Sequence, residues 1–228
     1  MFLTHRSRQA EYTDAPDLPA EVVASNYLEL ARVNKLLMFA HPFQSHVVRW
    51  LGRGRCANLS ILDLGAGDGS LGRELSGWAA KQGLQWRVTN VDKNPRALRL
   101  APRGVNVIAT VQSLPFADAS FDLVIASQMT HHITEREDVT AHFREAWRVT
   151  RDAIYLCDIH RNPVSYVMLW VVLKVMRLSP LMLHDGLMSV KRGWRAAEWK
   201  ALAREAGIPE VKVWFYFGSK LVLQARKR

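Results

Sequence analysis

The chain has 228 residues, a formal net charge of +10 and a hydrophobic content of 49%, which excludes a disordered chain and fits one ordinary domain with a small appendage. Its two cysteines, Cys56 and Cys157, exclude a disulfide framework and a zinc-cysteine cluster. The basic balance favours anionic partners, nucleic acid or an anionic membrane surface. Part of that charge stands in the terminal runs His5-Arg6-Ser7-Arg8 and Arg226-Lys227-Arg228, which read as solvated tails. The first residues lack an apolar signal-peptide core, so a reducing cytoplasm is the expected location, with peripheral membrane contact as a further option.

Residues 1–18, with Pro16, read as a polar arm. Apolar residues then recur at helical spacing from Pro19 to Met38 (Val22, Val23, Tyr27, Leu30, Leu37). His41-Pro42 ends that helix, and a second one runs from Phe43 to Leu51. Residues 1–51 are therefore expected to be an arm and helices, with the helices of 19–51 serving either as a second lid or as a dimer contact. Residues 52–228 are expected to be the main domain.

There the pattern changes to strands alternating with helices. Strands are expected at 59–64, 86–91, 105–110, 121–127 and 153–159, with helices at 71–82, 95–101 and 134–149. Thr134 and Glu137 have the spacing of a capping box that opens the last of these. Such alternation implies a parallel sheet with right-handed crossovers. A helix at 195–206 and two strands, 210–217 and 220–224 about a Gly218-Ser219 turn, finish the chain. Between them lies an apolar insertion, 162–192. Lys174, Arg177 and Pro180 interrupt its longest run, so it is expected to be a buried or interfacial helix and not a membrane span.

The most informative stretch is Ile61 to Gly72, ILDLGAGDGSLG. Glycines directly after a strand let backbone approach a ligand closely. Gly67-x-Gly69-x-x-Gly72 satisfies a dinucleotide fingerprint, with Asp92 near the expected distance for a ribose-binding acid. The same segment reads as D-x-G-x-G-x-G through Asp63, Gly65, Gly67 and Gly69. Charge favours the second reading. Asp63 and Asp68 would repel a pyrophosphate, whereas they attract a ligand carrying an ammonium and a sulfonium. Asp92, at the end of the second strand, suits the two ribose hydroxyls of an adenosine, or else caps the helix after Asn94-Pro95.

Three segments in order, ILDLGAGDG, VTNVD and LPFADASFDLV, resemble the class I S-adenosylmethionine (SAM) dependent methyltransferases. The likeness is to the small-molecule family that includes the ubiquinone and menaquinone methylases. It implies a Rossmann-like α/β fold with a seven-stranded, mostly parallel sheet and an antiparallel terminal hairpin strand. It also implies SAM as cofactor and S-adenosylhomocysteine as product. The cofactor-binding residues it implies are Asp63, Gly65, Gly67, Gly69, Asp92, Lys93, Thr110, Val111, Gln112 and Ser127. Thr110 stands where the family often has an aspartate for the adenine amino group, so that contact can pass to Val111 or Gln112.

The loop after the fourth strand, Ser127-Gln128-Met129-Thr130-His131-His132, lies over the methyl group in the resembling fold. His131 and His132 are the candidate catalytic residues, since imidazole is a suitable base near neutral pH. The alternative is that one packs while the other caps a helix. No further ligand stands at a recognisable metal spacing, so no metal is expected. Asp158 and His160, on one side of the fifth strand, read as a salt-linked strand end, and His41 and His184 stand as ambiguous further histidines. The apolar insertion is expected to cover a small apolar acceptor: a phenolic, quinone-like or polyketide compound methylated at oxygen. An RNA substrate is disfavoured by the lack of a recognisable RNA-binding appendage, and a lipid acceptor at a membrane surface is the remaining alternative.

Overall fold

In a computed structural model of the chain, the described residues are 3–15, 17–101, 104–216 and 219–227. Pro16, Phe217, Gly218 and Arg228, assigned above to the arm, a strand end, the terminal turn and the basic tail, lie outside them. Seven strands form one sheet: β1 (Asn58–Leu64), β2 (Gln85–Asp92), β3 (Val105–Ile108), β4 (Phe121–Ser127), β5 (Thr150–Ile159), β6 (Lys212–Tyr216) and β7 (Lys220–Arg226). Their order is β3-β2-β1-β4-β5-β7-β6. The first five are mutually parallel, and β7 runs antiparallel to both β5 and β6.

Both faces of this sheet are buried, which explains why its strands read as apolar runs and not as alternations. Leu62 and Leu64 point to one face, with Val124, Phe143 and Trp199. Ile61 points to the other, with Phe43, Val47, Leu75 and Tyr155. The first face is covered by α5 (Arg136–Val149) and α8 (Ala196–Glu205), where Phe143 meets Trp199 edge to face at 6.0 Å. The second is covered by α2 (Val47–Leu51), the Pro42–His46 turn before it and α3 (Ser70–Lys81). Between β2 and β3 lies the short α4 (Pro95–Leu98).

A third apolar cluster stands beside the sheet. It joins Val33 of α1 (Ala20–Leu36) to Leu169 and Leu173 of α6 (Pro163–Val175) and to Met182 and Val190 of α7 (Pro180–Arg192). The expected insertion is therefore a helical pair broken at Pro180, whose missing N–H is harmless at a helix start. No helix among the described residues is long and apolar enough to cross a membrane.

Two local expectations are corrected. Thr134 does not form the capping box: α5 begins at Arg136 with Glu135 as its cap residue and no side-chain cap bond. The Thr134 carbonyl instead accepts from Arg6, 2.9 Å away, which holds the residue in the preceding loop. Nor is Arg6 part of a solvated tail, since it is partly buried and donates to four main-chain carbonyls.

Gly193, where α7 turns back to the end of β5, leaves no room for a side chain. An added Cβ would lie 2.6 Å from the Ile159 carbonyl oxygen and 3.1 Å from that of Val190. We predict that Gly193→Ala lowers the unfolding free energy by about 1–3 kcal/mol, the usual range for overpacking. Urea denaturation checks this, and an unchanged midpoint would contradict the packing described.

Candidate active site

Ligand crevices in open α/β sheets form where successive connections leave in opposite directions. Here the chain passes from β1 to β2 on one side, and β4 lies on the other. The loops after β1, β2 and β4 therefore part above β1, and a cavity of about 1090 Å³ fills that place. It is walled by those loops, by α1, by the N-terminal arm and by α7.

The loop after β1 is shaped by left-handed backbone. Gly65, Gly67 and Gly69 all have positive φ, and at two of them a Cβ has no space. At Gly65 it would meet the Met129 side chain at 2.0 Å, and at Gly67 the Tyr27 ring at 3.0 Å. Asp92, at the tip of β2, accepts from the Gly67 N–H at 2.8 Å and from the Asn94 N–H at 2.8 Å. Asp63 closes the floor. It is 1% exposed, and its Oδ2 has no hydrogen-bond partner. Burial, then Asp92 and Asp68, push its carboxyl up to about 8.

A buried carboxylate oxygen without a partner, aimed at a cavity, matches a cationic ligand group. The donor set fits SAM: Asp63 for an ammonium, glycine backbone beneath the chain of the ligand, Asp92 for ribose hydroxyls. Lys93, Val111, Gln112 and Ser127 also line the cavity. Gly69 and Thr110 are not in its wall. Gly69 instead serves as the left-handed residue that starts α3. Thr110 is exposed and bridges to Ser113, leaving Val111 and Gln112 on the adenine side.

At the opposite end stands the loop after β4. Gln128, at positive φ, bends the chain, with its N–H on the Cys157 carbonyl at 2.9 Å and its side-chain amide on Asn34 at 2.8 Å. The Thr130–His132 turn follows. His131 is 2% exposed, and its Nδ1 lies 2.6 Å from Asp158 Oδ1. The His131 N–H donates to the other oxygen of Asp158 at 2.9 Å. Asp158 is thus no simple salt-linked strand end but the anchor of the histidine loop. Burial alone would lower the His131 imidazole, but Asp158, then Glu11, outweigh it and raise it to about 9.

His132 sits in the cavity wall, its Nδ1 3.2 Å from Asp14. Glu11 lies between the two rings, Oε1 at 3.6 Å from His131 Nε2 and Oε2 at 3.9 Å from His132 Nε2. Burial alone would raise the Glu11 carboxyl, but His132 and His131 hold it far below the usual carboxylate range. Arg192, itself 3% exposed, donates to Asp14 at 2.8 Å and to the carbonyls of both histidines. Arg6 braces the same turn through the His131, Ile133 and Thr134 carbonyls.

Glu11, Asp14, Tyr27 and Arg192 were absent from the sequence expectations, because no local spacing links an N-terminal arm to a loop 120 residues later. The other histidines lie elsewhere: His41 on the Tyr216 hydroxyl, His160 on Asn162, and His184 stacked on Tyr12. The insertion touches the cavity only through α7, with Met182, Asp185, Gly186 and Ser189. Apolar residues of α6 do not line this cavity; Met168, Leu169 and Leu173 line a smaller one beside it. Leu169 and Leu173 are core, while Val167, Trp170 and Val171 face outward.

A family profile described as a methyltransferase domain matches residues 62–157. The matched segment runs from β1 into β5 and holds Asp63, the glycine loop, Asp92 and both histidines of the Thr130–His132 turn. A demethylmenaquinone methyltransferase of Roseiflexus sp. (strain RS-1) is 30% identical over 128 residues, 53% of this chain. The chain spans about half the length of that curated relative, 51%. The plantazolicin methyltransferase BpumL, solved in complex with SAH, superposes with a TM-score of 0.69 at 13% identity over 93% of this chain and 92% of its own. A Pyrococcus horikoshii protein superposes at 0.59 with 14% identity, covering 86% and 91%. At these identities the two structures show a shared fold over most of the chain.

Asp63 gives the cofactor end a pH signature. Near neutral pH its buried carboxyl is mostly protonated. A cationic ligand favours the ionised form, so affinity rises as pH climbs towards the free-state value of about 8. We predict that the dissociation constant for SAM falls by up to about tenfold per pH unit from about pH 5.5 to about 7.5. Isothermal titration should show this slope in the native chain and its loss in Asp63→Asn.

Proposed function

We propose that this chain transfers a methyl group from SAM to an oxygen of a small apolar acceptor, of phenolic, quinone-like or polyketide type. The observation that carries the reading is the polarity of one cavity. Carboxylates Asp63 and Asp92 stand at one end, a histidine pair held by Glu11, Asp14 and Asp158 stands at the other, and the apolar side chains Val23, Leu30, Phe39 and Met182 lie elsewhere in the same wall. When bound, SAM supplies an electrophilic methyl on a sulfonium, so the protein's task is alignment, exclusion of water and removal of the acceptor proton.

The volume supports two ligands. About 1090 Å³ exceeds the roughly 300–1,000 Å³ of a single-ligand pocket. A second cavity of about 50 Å³ shares Leu30, Phe39, Met182 and Gly186 with the large one and continues between α1 and α6, among Val33, Leu37, Leu169 and Leu173. It suits an apolar tail of the acceptor. The name of the Roseiflexus relative also points to a quinone-like acceptor. In this reading His132, half-buried in the cavity wall, holds the acceptor hydroxyl and eases its deprotonation, with Asp14 fixing its ring and His131, anchored on Asp158, packed behind it.

The test is incubation with methyl-labelled SAM and a lysate of the source organism, followed by separation into organic extract, RNA and protein. We predict label in the organic phase. Asp92→Ala should weaken SAM binding by about 10–100-fold, through loss of charge-assisted hydrogen bonds. His132→Ala should lower kcat by about 10²–10⁴-fold while leaving SAM affinity within about twofold. Label in RNA would instead make the +10 charge the better guide and overturn the apolar acceptor.

A further inference from the structure

The two histidines are oriented in a way that a general base alone does not require. Each presents its Nδ1 to a carboxylate: His131 to Asp158 at 2.6 Å, His132 to Asp14 at 3.2 Å. A carboxylate accepts, so each Nδ1 carries the hydrogen. In the neutral ring that leaves a lone pair on each Nε2. Both Nε2 atoms point at Glu11, which is also an acceptor. His131 Nε2 is fully enclosed and has no hydrogen-bond partner. With both rings neutral, the form a metal ion selects, two nitrogen lone pairs and a carboxylate, all buried or half-buried, face one small space. Their ligand atoms all lie within 4.8 Å of one another.

We propose that Glu11, His131 and His132 form a site for a divalent transition-metal ion, of which zinc is the probe of choice. Two imidazoles and one carboxylate with an open side is a donor set used by catalytic zinc and by non-haem iron. Ligand atoms each about 2.1 Å from a zinc ion lie roughly 3.4 Å apart; here they lie within 4.8 Å of one another, so binding draws the three side chains together by up to about 1.4 Å. The outer shell is built as such sites require. Asp158 and Asp14 fix the tautomers of the two rings, and Ser189 Oγ donates to Glu11 at 2.7 Å. The carboxylates of Asp14 and Asp158 back the two rings, and Glu11 and Asp14 face the Arg192 guanidinium.

All three ligands also line the large cavity, so the open coordination side faces the acceptor end. There the ion takes an oxygen donor and lowers the pKa of a hydroxyl held on it. This last step rests on the oxygen-acceptor reading above, whereas the binding of metal does not.

The experiment uses the untagged full chain, stripped with a chelator and titrated with Zn2+ against a chromophoric competitor, without SAM or acceptor. One ion per chain is expected. Glu11→Gln and His132→Gln should each weaken binding by about 100-fold or more. Asp14→Asn, which touches only the outer shell, should weaken it by about 10–100-fold. Circular dichroism of each variant reports its folding, and the visible spectrum of the Co2+-loaded chain reports low coordination number with nitrogen ligands. Absence of stoichiometric binding in the native chain, or binding that survives Glu11→Gln unchanged, would overturn the site. Methylation of oxygen acceptors by a metal-free chain would overturn the site's role and leave the proposed function standing. Stoichiometric zinc with no transfer to any oxygen acceptor would support the site and overturn that function.

Discussion

The acceptor end of this molecule hangs on one buried carboxylate. Asp158 closes β5 at 0% exposure and is satisfied by three donors: the His131 ring, the His131 N–H and the Ile159 N–H. An ionised group so deep in a protein is tolerated only when its acceptor capacity is filled. Burial raises its carboxyl, but His131 outweighs burial and holds it below the ordinary value. Removing the ring would leave a buried charge, and removing the charge would free the ring to rotate. The loop after β4 is therefore fixed by a bond from the neighbouring strand, and the cavity's catalytic end inherits its geometry from the register of β4 on β5.

The same economy of parts runs through the N-terminal arm. Arg6 reaches past α7 to the back of the histidine loop, while Glu11 and Asp14 reach its front. Asp185 of α7 accepts from the Tyr12 and Thr13 N–H groups and so pins the arm between them. The arm thus forms one wall of the cavity, and the loop would lose both its guanidinium brace and its carboxylate partners without it. Such segments, held by polar contacts at long sequence separation with few apolar ones, are the places where native proteins open most readily. Entry of an acceptor into a cavity walled in this way is most simply accommodated there.

Much of the sheet and the cofactor end was legible in the sequence, because each part is encoded locally. Apolar runs of strand length, glycines directly after the first of them and an acid at the tip of the second are contiguous signals. The structure places Asp63 and Asp92 where those signals imply. The acceptor end was legible only as His131-His132. Its partners Glu11, Asp14 and Arg192 lie at the two ends of the chain, and only the fold brings them to one point. Which face of the apolar stretch 163–175 packs inward was illegible for a different reason. A helix apolar on all sides carries no period that distinguishes the face packed in the core from the one turned outward.

That difference also explains why the two ends of the cavity are built so differently. A SAM-like ligand is large and invariant, so backbone shape and two carboxylates on consecutive strands suffice to hold it. Those features sit at the strand ends and crossovers of the sheet. The acceptor end is assembled from the arm, the loop after β4 and α7, which are additions to the sheet and not parts of it. Chemistry that must suit a particular acceptor is thereby confined to elements that can change without disturbing β1 and β2. In this chain those elements converge on Glu11, His131 and His132, which is where the proposed chemistry of the acceptor is set apart from the glycine loop.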